Sequence, residues 1–365
     1  MNQVKHSMIT LAATAAALLA CGRGAQAGPF TATVFARGAD VGATRPDSIT
    51  TDGSHVFIEY SNGASAVIPP GQDGSSTIAE YDLAGRILTT FSVPGSADGL
   101  RYNAATNQVW ALQNQDGNST LTTIDATTGT MAHYTYNPTS PSRGYDDAAF
   151  VGGKAFLSYS NPGNSTDPSP PIIYQATLGN GTIALTTVLN ANATGTNTAT
   201  GQAGPIPVTD PDSLNLRPDG SLLLTGGDDG TLTTVRNPGT GSQAVSFVKL
   251  VTANGAGVSG LDDTVFAAGS DQRLLVADTA NNLVYAVTGP FQVGGAYSSI
   301  GDTHSLDSVD MTTGLATSIS DGLFGANASP HGLQFISAVP EPSSLALTAT
   351  GAAGVLAFVR RRRRS

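Results

Sequence analysis

The feature that most restricts the fold of this chain is a recurring unit, a short apolar strand opened by an acid. It occurs at Asp47-Ser48-Ile49, Asp98-Gly99-Leu100, Asp146-Asp147-Ala148, Asp212-Ser213-Leu214 and Asp262-Asp263-Thr264, with first acids 51, 48, 66 and 50 residues apart. A turn and a second strand follow each opening, as at His55 to Tyr60, Gln108 to Leu112, Lys154 to Tyr159, Ser221 to Thr225 and Arg273 to Ala277, and further strands follow in the same order. Asp52-Gly53, Ala84-Gly85, Thr128-Gly129 and Asp219-Gly220 supply tight turns. A sheet this small buries its faces only by stacking on its neighbours, and a period near fifty with about four strands predicts the blades of a β-propeller.

His331-Gly332-Leu333 repeats the opening a sixth time. The hairpin Leu306 to Asp310 and Leu315 to Ile319 precedes it, and the reading joins these to the strand Thr31 to Ala36 as a composite closing blade. The expectation is an all-β chain with one propeller over residues 28–337, six blades first and seven next. A two-sheet sandwich is the rival, because strand spacing alone does not separate the two.

Composition agrees: 43 Gly, 20 Pro and only 12% charged residues describe a turn-rich globular body rather than a long-helix bundle. Acids are 24 Asp against 3 Glu, and Asp favours turns and caps. Residues 28–339 hold 10 Lys and Arg against 26 Asp and Glu, a net charge of −16, which disfavours nucleic acid and anionic lipid as partners and favours cations. The single cysteine, Cys21, lies outside this body, so neither an internal disulfide nor a zinc thiolate site is expected there.

Both ends read as addresses. Lys5 and His6, an apolar run from Met8 to Ala20 and the small residues Ala25 and Ala27 before Gly28 form a secretory signal over residues 1–27, cut by signal peptidase. The alternative is a lipoprotein box at Leu18 to Cys21. Residues 338–365 contain Val339-Pro340-Glu341-Pro342, 15 apolar or small residues from Leu345 to Val359, and the basic run Arg360, Arg361, Arg362, Arg363 and Arg364. The stretch is a short transmembrane helix candidate, and the arginines would hold its end in the cytoplasm. The prolines keep Glu341 in extended backbone.

This tail resembles the PEP-CTERM sorting signal. The resemblance implies an exosortase partner in a Gram-negative, biofilm-forming host and cleavage near Pro340 to Pro342. An inner-membrane precursor would then be released or attached at the cell surface. An uncleaved anchor shares the topology.

In a propeller the opening strands are innermost, so Asp47, Asp98, Asp146, Asp212, Asp262 and His331 are expected at one mouth of the channel, as candidate metal ligands. A second ring is expected from Asn62, Asn114, Asn161, Asp228 and Asp278. Oxygen ligands without thiols suit a hard cation, Ca²⁺ first. The competing expectation, ranked above it, is structural: each opening Asp bonds to nearby backbone N–H groups as an Asx-type turn. His331, the exception among the openings, is a candidate ligand or general base. His55 and His133 read as blade-face residues, and Trp110, Tyr60 and Tyr159 as packing between blades. No catalytic residue is assigned, since neither a Gly-x-Ser-x-Gly elbow, a His-Glu-x-x-His motif nor a phosphate-binding glycine loop is present.

Through Asp98-Gly99-Leu100, Asp278-Thr279-Ala280-Asn281-Asn282 and Pro330-His331-Gly332-Leu333 the body resembles bacterial propellers of the NHL, YVTN and gluconolactonase kind. The last of these implies a channel cation held by Glu, Asn and Asp. This sequence departs from that pattern, having only Glu59 and Glu80 in the body, neither at a strand opening. The expected function is a non-enzymatic binding or structural module at the surface or in the matrix, with extracellular polysaccharide or surface proteins as partners. A divalent-metal hydrolase or lactonase at the channel mouth is the alternative.

Overall fold

The computed structural model describes residues 30–65, 74–137, 144–160, 162, 167–325 and 327–338. The signal segment with Ala25 and Ala27, the motif Val339 to Pro342, the terminal arginines and Asn161 lie outside the described residues. Among the described residues there is no α-helix, and none is long and apolar enough to cross a membrane.

β1 (Thr31–Arg37) precedes a 3-10 turn (Gly38–Val41) and an antiparallel unit of β2 (Pro46–Thr51), β3 (His55–Tyr60), β4 (Ser75–Asp82) and β5 (Ile87–Pro94). The second unit is β6 (Ala97–Asn103), β7 (Gln108–Gln113), β8 (Thr120–Asp125) and β9 (Met131–Asn137). The third is β10 (Tyr145–Val151), β11 (Lys154–Tyr159), β12 (Pro171–Leu178) and β13 (Thr182–Asn190), whose outer strand touches β9 in parallel. A small hairpin, β14 (Thr194–Asn197) and β15 (Ala203–Pro205), joins the outer edge of the fourth unit, β16 (Pro211–Leu216), β17 (Leu222–Gly226), β18 (Thr231–Arg236) and β19 (Ala244–Lys249).

The remaining strands interlace. β20 (Leu261–Phe266) does not pair with the next strands, β21 (Gln272–Asp278) and β22 (Leu283–Thr288). It pairs instead with β23 (Ala296–Ile300), followed outward by β24 (Ser305–Val309) and β25 (Ala316–Ser318). β21 and β22 cross to the last sheet, where β26 (Pro330–Ser337) forms the inner edge and β1 the outer. Two sequence expectations are corrected here. Arg273 to Ala277 belongs to the His331 unit rather than the Asp262 unit, and the hairpin from Leu306 to Ile319 completes the Asp262 unit. The short link from Phe266 to Gln272 is what a hairpin would have, so local spacing could not reveal the crossing.

The inner strands β2, β6, β10, β16, β20 and β26 pack in cyclic order, with β26 returning to β2. That closed ring is a β-propeller, and face-packed layers are ruled out. Apolar clusters fill the wedges between units. Ile49, Ile58, Tyr60 and Tyr81 meet Leu275, Val284 and Ile336 across the closure, and Trp110 packs edge-on against Phe150 with centroids 4.9 Å apart. Tyr159 stacks among Tyr145 and Tyr174, so the aromatics serve blade packing as expected.

Near the axis the backbones almost touch. A Cβ at Gly99 would lie 2.0 Å from the carbonyl oxygen of Asp146, and one at Gly332 would lie 2.4 Å from that of Asp47. Neither strand can retreat without opening the ring. Gly99→Ala and Gly332→Ala should each lower unfolding stability by about 2 kcal/mol or more, as overpacking of a tight contact does. Gly204→Ala, which meets nothing within 4 Å, should leave it unchanged. Urea unfolding of the three variants checks this, and equal midpoints would contradict the close approach.

Candidate functional site at the channel mouth

Each inner strand is irregular at its opening. The register with the second strand shifts between Pro46 and Ile49, Ala97 and Gly99, Tyr145 and Ala148, Pro211 and Leu214, and Leu261 and Thr264. On the sixth the shift falls opposite His331-Gly332, between Val276 and Asp278 of β21. A bulge re-aims the side chain it carries. Here it turns Asp47, Asp98, Asp146, Asp212 and Asp262 onto one small chamber, with a free volume of about 20 Å³, on the order of one water or one bare ion. The structure therefore brings together the acids that the repeat singled out, and His331 lies against two of them.

The bonds at the mouth reverse the structural expectation. Among the described residues, none of the five opening carboxylates accepts a hydrogen bond from a backbone N–H. The residues just after the bulge acids do that work. Asp147 accepts from Ala148 N (2.7 Å) and, across the blade boundary, from Leu214 N (3.0 Å). Asp263 accepts from Thr264 N (2.7 Å) and from Leu333 N of the next unit (2.9 Å). Arg101 spans the channel floor between them, paired with Asp147 and donating to Asn215 Oδ1 (2.8 Å), while Asn215 Nδ2 donates to Asp263 (2.5 Å). Sequence reading missed Arg101 and Asn215 because each lies mid-strand with no local pattern.

Other aspartates form the expected Asx turns, but at the hairpin tips on the far face. Asp52 accepts from Ser54 N and His55 N, Asp82 from Ala84 N and Arg86 N, Asp125 from Thr127 N and Thr128 N, and Asp310 from Thr312 N. The proposed second ring is likewise structural. Asn62 accepts from Thr44 N, Asn114 from Ser96 N, and Asp278 from Asn281 N and Ser329 N. Asp228 instead adds its charge to the neighbourhood of Asp210.

Electrostatics separates the two populations. Backbone hydrogen bonds hold the carboxyls of Asp82, Asp125 and Asp310 below the usual range. At the mouth, burial together with neighbouring carboxylates pushes Asp98, Asp146 and Asp212 well above it. Burial and the charges of Asp228, Asp229 and Asp116 push Asp210 up to about 6.

His331 Nδ1 sits 2.9 Å from Asp262 Oδ2 and 3.4 Å from Asp47 Oδ1, and Nε2 faces Ser329 Oγ at 3.1 Å. Burial lowers its pKa, but the charges of Asp262 and Asp47 outweigh burial and push it up to about 12. The imidazolium thus neutralises one side of the mouth. Gln115, with its amide nitrogen turned inward, donates to both oxygens of Asp98 (3.0 and 2.6 Å).

Asp146 and Glu59 are among the carboxylates that keep orphaned oxygens. Asp146, 6% exposed, lines the chamber with Oδ1 unpartnered. Glu59, fully buried opposite the Asp47-Ser48 bulge, has no hydrogen bond at either oxygen, although Ser48 N–H and Ser76 Oγ lie close by. Ser158 and Ser299 hold the matching place in two other units and accept from the bulge N–H groups of Asp147 and Asp263. Burial and the charges of Asp47 and Asp98 push the Glu59 carboxyl well up. No local pattern marks this residue, because Glu59 lies on a second strand.

The carboxylates fit a hard cation: Asp47, Asp262 and Asp146 line the same chamber, Asp146 with a free oxygen, while His331, within 4.8 Å of the Asp47 and Asp262 oxygens, could act as a ligand only after giving up its proton. His304 is not at this mouth, lying beside Thr303 and Ser305 in an outer groove.

Residues 338–364 match the family model of the PEP-CTERM protein-sorting motif. The tail is a PEP-CTERM motif. The chain is accordingly an exported, exosortase-targeted protein sorted to the cell envelope or surface, with a β-propeller body. No curated protein matches it in sequence. Similar solved structures include a protein of unknown function from Bacteroides caccae, at 13% identity over 80% of this chain and 86% of that one, with a TM-score of 0.46. The periplasmic gluconolactonase of Pseudomonas aeruginosa aligns at 14% identity over 81% and 89%, TM-score 0.46. Virginiamycin B lyase of Staphylococcus aureus aligns at 15% identity over 84% and 82%, TM-score 0.42. These distant likenesses carry no argument about activity.

The raised carboxyls set a pH dependence. Their folded pKa values exceed the unfolded ones, so their contribution is present below the ordinary carboxylate range and lost as pH rises through the raised values. In chelator, the unfolding midpoint should fall as pH goes from about 4 through about 6, where Asp210 titrates. Asp146→Asn should flatten that decline and raise the midpoint at neutral pH, because it removes a buried carboxyl whose pKa burial and neighbouring acids push up. Thermal unfolding across this range tests the claim, and a midpoint that rises throughout would contradict it.

Proposed function

We propose that this chain is a six-bladed surface propeller that works as a non-enzymatic binding module, with a divalent hard cation, Ca²⁺ first, held at the acid mouth. The observation that carries the reading is the convergence of five bulge-borne carboxylates without backbone partners among the described residues, with Asp146 Oδ1 buried and without a hydrogen bond. Asp47, Asp262 and Asp146 would supply the oxygens, and a bound Ca²⁺, which accepts 6 to 8 oxygen ligands, would offset the like-charge repulsion. His331, clamped as a cation between two acids, is poorly set to act as a general base near neutrality, which favours binding over a hydrolase or lactonase. A cation at an open mouth is also a meeting point for the acidic groups of extracellular polysaccharide or surface proteins.

Calorimetric titration of the chelator-treated exported protein should give saturable Ca²⁺ binding, weakened roughly tenfold or more, about 1.4 kcal/mol, by Asp146→Asn. Heat indistinguishable from dilution would remove the site, and an activity on lactones or phosphoesters lost in His331→Ala would replace the binding reading with the enzymatic one.

We infer from the tail a precursor held in the inner membrane of a Gram-negative bacterium and cleaved by exosortase near Pro340 to Pro342. Intact mass of the surface protein should end in that motif, and should retain Arg364 in a strain lacking the processing peptidase. Retention of Arg364 in both strains would mean an uncleaved anchor.

A further inference from the structure

The two flanks of the propeller leave it on one face, and that face is not the acid mouth. β26 starts at the mouth with Pro330, paired with Asp278, and descends the channel to Ser337, paired with Gln272. Ala338 N–H then bonds to the carbonyl of Asp271 (3.1 Å), fixing the point where the sorting segment begins. β22 runs from Leu283, beside Asp278, down to Thr288, and Thr288 pairs with Thr31 at the start of β1. The first and last strands of the propeller therefore meet the rest of the chain at the far end of the channel, about 20 Å from His331 at the rise of an extended strand.

Charge is divided along the same axis. The opening acids crowd one end together with Asp210. The far-face turns carry Arg86, paired with Asp82, and Arg236, facing Asp219, with Lys154 and Arg217 on neighbouring turns. Asp52, Asp125 and Asp310 lie on the same far-face turns, so that face carries acids as well but without the crowding of the mouth, and an anionic lipid surface repels the mouth more strongly than the opposite side.

From chain direction and charge together, we infer that in the membrane-held form the far face is turned to the bilayer and the acid mouth away from it. The mouth then receives a soluble partner arriving from the outer medium, not a lipid headgroup. This rests on the tail serving as a membrane anchor before processing, and it is independent of whether a cation binds.

The test uses the exported precursor, residues 28–365, which has no cysteine of its own, reconstituted in vesicles containing anionic lipid and a headgroup energy acceptor. A donor dye is placed through Ser54→Cys, in the far-face turn between β2 and β3, or through Thr44→Cys, exposed beside the mouth. Transfer should be greater at position 54 than at position 44 by roughly twofold for a height difference of one strand. Equal transfer, or more at position 44, overturns the orientation. Failure of the chain to sediment with vesicles overturns it by a different route, through the anchor. Neither outcome bears on the calorimetric cation test, so the two readings fail separately.

Discussion

One surplus residue at the head of each inner strand governs this molecule. In a regular strand, side chains alternate between faces, and an opening acid would point into the wedge between blades, where a charge has no solvent. The bulge removes it from that alternation and directs it down the axis. The same bulge leaves backbone N–H groups without ladder partners near the axis. Asp147 and Asp263 supply partners by reaching across blade boundaries to Leu214 and Leu333, so two boundaries of the ring are stitched by side chain to backbone bonds. At other boundaries Gly99 and Gly332 let the neighbouring backbone come close.

Directing several carboxylates to one point sets the energetic problem of the fold. Protons, an internal cation or a bound cation are the means of offsetting it; the raised carboxyls favour the first and His331 supplies the second. Arg101 lies deeper than the opening acids and is committed to Asp147 and Asn215, so it steadies the channel floor without neutralising the rim. His331 neutralises the side formed by Asp47 and Asp262. Asp146 and Asp212, farther round the ring, have no basic partner among the described residues, and theirs are among the carboxyls pushed well up. The far-face turn aspartates have depressed pKa values, so acid removes stability there while alkali removes it at the mouth. The two populations oppose one another as pH changes.

Much of the fold was legible because a propeller repeats its signal. The acid-opened strand, the turn glycines and the fourfold strand rhythm are local, and each recurs often enough to outweigh its own ambiguity. The interlacing of β20 to β26 was not legible, because pairing partners are chosen in three dimensions and the link from Phe266 to Gln272 is as short as a hairpin's. At the site, the convergence of the opening acids followed from their shared place in the repeat. Their bonding did not follow, because Asp146 and Asp147 are the same residue type one position apart, and only the bulge decides which caps and which faces the channel. Glu59 was hidden for a similar reason: on a second strand, nothing distinguishes a solvent-facing Glu from one beneath a bulge.

The closure of the ring bears on how such a body survives outside the cell without a disulfide. Both flanks of the propeller lie in one sheet, β1 on its outer edge and β26 on its inner edge, with β21 and β22 between them. Because the chain passes from β20 into this sheet, back to β23 and again to β26, the last two units cannot separate without withdrawing a strand from the core. A pull on the tail acts along β26, whose ladder with β21 runs from Gln272 to Asp278 and lies parallel to that pull. Its hydrogen bonds are then sheared together rather than peeled one at a time, and the buried side chains of Leu333, Phe335 and Ile336 must leave the inter-blade wedges in the same step. Interlaced closure therefore places any load on the tail on an inner strand of the ring.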